Sequence, residues 1–241
     1  VTPLVLVHGF MGGSAQWDGV AAALAGRAEV IAVDLPGFGG NAHLDPINRI
    51  EGFADWVIGH LSERGIDRYD LLGHSMGGMV AQEIARRDRK RLARLVLYST
   101  GATGVLPGRF ETIAESKRRA RADGAQRTAR RIAATWYLAL EQAAGFEACA
   151  RIAERASLAA IEAGLDAMEA WSGEAALSDI DMETLVIWGE FDRTYGWEQV
   201  HGLWRTIPRA HLAVIPGCAH AVHDEKPDIF ARILLDFLET H

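Results

Sequence analysis

At 241 residues, 49% hydrophobic and 24% charged, the chain is long enough for one large α/β domain or a domain with an insertion. Its net charge of -7 argues against nucleic acid as a general partner, because phosphate binding needs a basic surface. With no run near the roughly 18–20 apolar residues that span a bilayer, no leader pattern and only Cys149 and Cys218, it reads as a cytoplasmic protein with free thiols and no membrane partner.

Leu4-Val5-Leu6-Val7 is wholly apolar and reads as a short buried strand, followed by the loop His8-Gly9-Phe10-Met11-Gly12-Gly13. A helix is expected from a Ser14 cap through Trp17 and Val20 to about Leu24. Val30–Val33 is the next strand and ends in Asp34-Leu35-Pro36-Gly37-Phe38-Gly39-Gly40. Asp34 beside that turn is read as a carboxylate that hydrogen-bonds turn amides. A second helix covers about Arg49 to Arg64.

Tyr69-Asp70-Leu71-Leu72 reads as the end of a buried strand, and helical spacing begins at Gly77. Between them stands Gly73-His74-Ser75-Met76-Gly77. A serine between strand and helix, with glycine two residues to either side, is the nucleophile-elbow pattern. So sharp a turn strains the serine backbone and needs neighbours without side chains. The side chain of His74 is expected to point away from that of Ser75 and to pack behind the turn.

Leu95–Tyr98 gives a further strand, and the alternation breaks after Gly101-Ala102-Thr103-Gly104. From about 105 to 180 only helical periodicity is visible; strands resume at Leu185–Trp188 and Leu212–Ile215, before a last helix from Pro227 to about Leu238. The expected fold is therefore α/β: a mostly parallel, doubly wound sheet with flanking helices and an inserted all-helical cap. Residues 1–104 and 181–241 would form the core, and 105–180 the cap.

A serine hydroxyl needs a base, and the base needs a partner to orient it. In an elbow enzyme the chain order is serine, acid, histidine. Asp192 leaves one late strand and His220 leaves the last, so both should reach the carboxyl edge of the sheet with Ser75. Asp192 is preferred to its neighbour Glu190 and to an acid nearer Ser99, and His220 to His223, which is expected to be a cap or surface histidine. The backbone N–H groups of Phe10 and Met76 are the expected oxyanion donors, with His8 holding the first loop by hydrogen bonds. No cluster has metal-ligand spacing and no glycine-rich loop has phosphate-binding spacing, so no cofactor is expected.

Between Arg109 and Arg131 eight basic residues face three acids. The sharp reading is a cap that attracts an anionic small-molecule substrate; the commoner one is a solvated helix face. Trp136, Tyr137 and Leu140 have one-face spacing, and Phe10, Trp136 and Trp171 are the expected pocket-lining residues.

His8-Gly9-Phe10, Asp34-Leu35-Pro36-Gly37-Phe38-Gly39, Gly73-His74-Ser75-Met76-Gly77-Gly78, Gly189-Glu190-Phe191-Asp192 and Gly217-Cys218-Ala219-His220 together resemble the α/β-hydrolase superfamily. The resemblance covers nearly the whole chain outside the cap. It implies acyl transfer without cofactor: Ser75 attacks, His220 relays the proton, Asp192 orients His220, and water hydrolyses the acyl-enzyme. Enol-lactonases and small carboxylesterases with a helical cap look most similar, so a small ester, thioester or lactone is the expected substrate. Hydrolases of carbon–carbon bonds in vinylogous diketones are an alternative, although they commonly carry Asn where this chain has His74. A hydrolase-like ligand receptor is another. Family members usually have two strands before the one at Leu4. Either the sequence is trimmed there, or Val30–Val33 forms an open edge that something must cover, a second copy of the chain being one candidate.

Overall fold

The structure is a computed structural model that describes residues 2–106 and 111–240. Six parallel strands form one sheet in the order β2-β1-β3-β4-β5-β6. They are β1 (Leu4–Val7), β2 (Val30–Val33), β3 (Tyr69–His74), β4 (Leu92–Tyr98), β5 (Glu183–Gly189) and β6 (Ala210–Ile215). The unbroken apolar run of β1 follows from its place between β2 and β3, with both faces buried.

Alternate residues of each strand feed different cores, as strand geometry requires. Leu4, Leu6, Leu72, Val96 and Ile187 pack with α1 (Asp18–Leu24) and α10 (Pro227–Thr240) through Val20, Leu24, Phe230 and Leu234. Val5, Val7, Leu71, Leu95, Leu97 and Val186 belong to the larger cluster with α2 (Ile50–Glu63), α3 (Met76–Arg87) and α8 (Trp197–Thr206). The doubly wound α/β arrangement is the one expected. β2 is an outer strand, and among the described residues no further strand pairs with it.

Between β4 and β5 lie α4 (Ile113–Asp123), α5 (Ala125–Ala134), α6 (Phe146–Ala153) and α7 (Leu158–Glu169). The described part of this segment holds no strand, only an isolated bridge from Ser172 back to Thr103. Arg109, expected to open the basic run, lies outside the described residues. The other basic side chains are largely paired: Lys117 with Asp166 and Glu169, Arg119 and Arg131 with Glu111, Arg121 with Glu162, and Arg130 with Glu147 and Glu154. None of them lines the cavity at Ser75; Arg119, Arg121 and Arg130 face solvent as a solvated helix face would, whereas Lys117 and Arg131 are largely buried, Arg131 beside the buried Glu111.

Two local expectations need correction. Helix α5 ends at Ala134, so Trp136, Tyr137 and Leu140 lie in successive turns and share no helix face. Tyr137 is buried against Asp224, whereas Leu140 is 46% exposed with a positive φ of 55°. Ser14 does not cap a helix through its side chain; its N–H and Oγ donate to Asp34 at 2.8 and 2.7 Å.

Candidate active site

β3 delivers the chain to Ser75, the N-cap of α3, with φ 57° and ψ -121°. A non-glycine residue there stores roughly 1–3 kcal/mol of strain that the surroundings must hold. The glycines are what permit the turn. A Cβ on Gly73 would stand 2.2 Å from the Gly77 carbonyl oxygen, and one on Gly77 would stand 2.4 Å from that of His8. Strand, helix and first loop therefore meet closely enough to put the Ser75 side chain at the end of the sheet.

Asp192 and His220 arrive from the ends of β5 and β6. His220 Nδ1 donates to Asp192 Oδ2 at 2.8 Å, and both side chains are almost fully buried. The other carboxylate oxygen, Oδ1, accepts from the Thr194 and Tyr195 amides at 2.8 and 3.2 Å. The acid is thus fixed on both sides, and donation from Nδ1 leaves His220 Nε2 as an acceptor. Glu190 is exposed and takes the Gly217 amide at 3.1 Å, away from the imidazole. The structure pairs His220 with Asp192 and not with Glu190.

The His220 ring is enclosed by aromatic neighbours: His74 at 4.6 Å, Tyr195 nearly parallel at 5.8 Å and Trp136 at 6.3 Å between centroids. Its main-chain carbonyl accepts from His74 Nε2 at 3.2 Å and from the Tyr98 hydroxyl at 3.0 Å. Gln16 reaches His74 Nδ1 at 3.4 Å. Burial, with His220 and His223 nearby, pushes His74 well below the usual histidine range. His74 packs behind the turn as expected, yet it also borders the cavity.

His223 corrects its expectation. It is no surface histidine: Nδ1 lies 2.9 Å from the Tyr98 hydroxyl, its ring centroid is 4.9 Å from that of Trp17, and burial lowers its pKa to about 4. The short α9 (Val222–Glu225) turns it inward. Tyr98 and Gln16 were not legible as site residues. The one available hint was a polar-tipped Tyr98 closing an apolar strand.

The loop after β1 is held as expected. His8 Nδ1 donates to the Gly9 carbonyl at 2.8 Å and Nε2 accepts the Leu35 amide at 2.9 Å. Burial lowers its pKa to about 4, only partly opposed by the Gly9 carbonyl and Asp34. Burial would raise Asp34, but bonds from the Ser14 N–H and hydroxyl and the Gly40 amide outweigh it and hold the carboxyl low. Asp34 therefore ties the Phe10 loop to the Pro36–Gly40 turn. Among the described residues no acceptor meets the Phe10 or Met76 amide.

Ser75, His220, Phe10 and Trp136 border one cavity of about 180 Å³. In this arrangement no hydrogen bond joins the Ser75 hydroxyl to the His220 ring among the described residues; without substrate such contacts are often long. Cys149 lines the same cavity, and burial pushes its thiol up to about 12. Trp171 does not reach the cavity. Its indole N–H needs a buried acceptor and finds Oε1 of Glu83, on α3, at 3.0 Å. Among the described residues no group of acidic, histidine and cysteine side chains is placed to hold a metal ion, and no helix is long and apolar enough to cross a membrane.

The profile of the alpha/beta hydrolase family matches residues 4–233. A pimeloyl-[acyl-carrier protein] methyl ester esterase of Aeromonas hydrophila is 28% identical over 98% of this chain and 94% of its own. A 2-hydroxy-6-oxo-2,4-heptadienoate hydrolase of Pseudomonas putida is 30% identical over 98% of this chain and 88% of its own. Among solved structures, a thermophilic esterase from Thermogutta terrifontis superposes with a TM-score of 0.89 at 27% identity, covering 99% of this chain and 90% of that one. Elbow, sheet order and these matches agree, and the chain belongs to the alpha/beta hydrolase family.

Proposed function

We propose that the protein hydrolyses a small-molecule carboxylic ester, thioester or lactone through an acyl-enzyme on Ser75. His220 is the base and Asp192 its orienting acid. The observation that carries the reading is the buried His220–Asp192 bond of 2.8 Å, whose imidazole borders the cavity that Ser75 also borders. Ser75 Oγ adds to the carbonyl carbon as its proton passes to His220 Nε2. The oxyanion turns to the Phe10 and Met76 amides, each worth roughly 10²–10³ in rate. Collapse expels the leaving oxygen, or the sulfur of a thioester, which takes the Nε2 proton. Water then repeats the sequence on the acyl-serine and releases the acid.

Residues 105–180 act as a cap over the core of 1–104 and 181–241. Trp136 supports that division, because it comes from this segment and borders the cavity. The names of the Aeromonas and Thermogutta relatives support an ester as substrate.

Ser75→Ala tests the reading on short-chain p-nitrophenyl esters. A fall in kcat/KM of about 10³-fold or more is expected with folding retained. Wild-type rates in that variant would end the proposal. The Pseudomonas relative favours one second reading, cleavage of a carbon–carbon bond in a vinylogous 1,5-diketone acid. Loss of such a compound's absorbance, with no ester turnover, would select it.

A further inference from the structure

Among the described residues Ser75 borders a larger and a smaller cavity, and of these two the larger reaches the imidazole. The larger, of about 180 Å³, is lined by His220 together with Gln16 and His223. Its rim carries the exposed small residues Ala15, Gly19 and Ala148, so it opens to solvent. The smaller, of about 30 Å³, is lined by buried Leu106, Ile132, Met168 and Tyr195 and does not touch His220. Phe10 and Trp136 belong to both.

We propose that the enzyme selects esters of short, apolar acids with larger alcohols, the acyl chain entering the small cavity and the alcohol the large one. The inference rests on the Ser75 acyl-enzyme reading. Three directions leave the tetrahedral carbon besides the bond to Ser75. The oxyanion points to the Phe10 and Met76 amides. The leaving oxygen must meet His220 Nε2, the group that protonates it as its bond to carbon breaks. That oxygen and the alcohol it carries therefore lie in the larger cavity. The acyl chain takes the remaining direction, between Leu106, Ile132 and Met168.

Size sets the acid. The small cavity, about 30 Å³, has a sixth of the room of the large one, about 180 Å³, so it takes the smaller part of the ester. Acetyl to butyryl groups fit the first, and a ring-bearing alcohol fits the second. The wet side is also the correct one for deacylation. Once the alcohol leaves, water reaches His220 through the opening at Ala15, Gly19 and Ala148. Gln16 and His223 supply polar partners for the alcohol, whereas Leu106, Ile132 and Met168 give the small cavity an apolar wall beside Thr194 and Tyr195.

The test is kcat/KM across two ester series, followed by proton release at constant pH. One varies the acid on p-nitrophenol from acetate to octanoate; the other varies the alcohol on acetate from methanol to benzyl alcohol. A fall of at least about tenfold is expected between butyrate and hexanoate, since one misfitting methylene is worth 10–200-fold. Benzyl acetate should exceed methyl acetate. Met168→Ala should raise the hexanoate-to-acetate ratio about tenfold, with Ile132→Val moving it the same way should the first variant not fold. At Gly19 an added Cβ meets nothing within 4 Å; Gly19→Trp should lower the benzyl-to-methyl acetate ratio. Wild-type enzyme that prefers hexanoate to acetate, while Ser75→Ala is inactive, overturns the cavity assignment and leaves the serine mechanism standing. Activity that survives Ser75→Ala overturns both.

Discussion

The Tyr98 hydroxyl donates to the main-chain carbonyl of His220 at 3.0 Å, across 122 residues of sequence. The same oxygen accepts the His223 amide at 3.1 Å, and His223 Nδ1 lies 2.9 Å away. One phenol from the end of β4 thereby anchors the backbone that carries the proposed base. Its ring also stacks on His74 at 4.4 Å.

Tyr98→Phe keeps that ring and removes the anchor. Leaving the His220 carbonyl and the His223 ring short of a partner should cost about 1–3 kcal/mol of stability. Looser placement of the imidazole should lower kcat roughly tenfold, about 1.4 kcal/mol of barrier, with KM little changed. Urea unfolding and steady-state kinetics check the two effects separately.

Stability should fall on mild acidification. His8 has a pKa of about 4 in the fold because it is buried, whereas an unfolded-chain histidine titrates near 6.5. Between those values the unfolded chain binds more protons, so stability rises with pH and is lost as pH drops from 6.5 towards 4. His8 alone is worth roughly 3 kcal/mol across that window. His223 and His74, also lowered by burial, add with the same sign. Urea midpoints at pH 7, 6 and 5 measure the slope, and equal midpoints would contradict it.

Asp192→Asn should lower kcat by about 10³–10⁴ while the fold persists, because an amide no longer holds the Nδ1–H tautomer of His220. Glu190→Gln should have little effect, since Glu190 serves the exposed Gly217 amide. Comparable losses in both variants would show that the acid is misassigned.

Trp171→Phe separates packing from the site. Glu83 accepts from Trp171 and from Arg86 and Arg87. Removing the indole donor should destabilise the protein by about 1–2 kcal/mol. The value of kcat/KM should stay near wild type; a large loss would return Trp171 to the substrate pocket.

The parts of the site legible in the sequence are those whose constraints are local or ordered along the chain. Gly73 is a glycine because the turn closes on it within four residues, at the Gly77 carbonyl. The pairing of Asp192 with His220 could be read from chain order and from their places after the last two strands. Ser14, Tyr98, His223 and Trp171 were hidden because their partners lie 20, 122, 125 and 88 residues away, with no periodicity to mark them. The Trp136–Leu140 stretch failed for another reason. Its spacing suits a helix, but α5 stops at Ala134, and Tyr137 is held to the Asp224 carboxylate instead.

Covalent labelling tests the central claim most directly. The wild-type protein is treated with an alkyl fluorophosphonate, digested, and its peptides are weighed. One adduct per chain is expected on Ser75, forming at least about 10²-fold more slowly in His220→Ala, because the hydroxyl is a weak nucleophile without its base. An adduct on another residue, or continued ester hydrolysis by protein fully labelled at Ser75, would contradict the account.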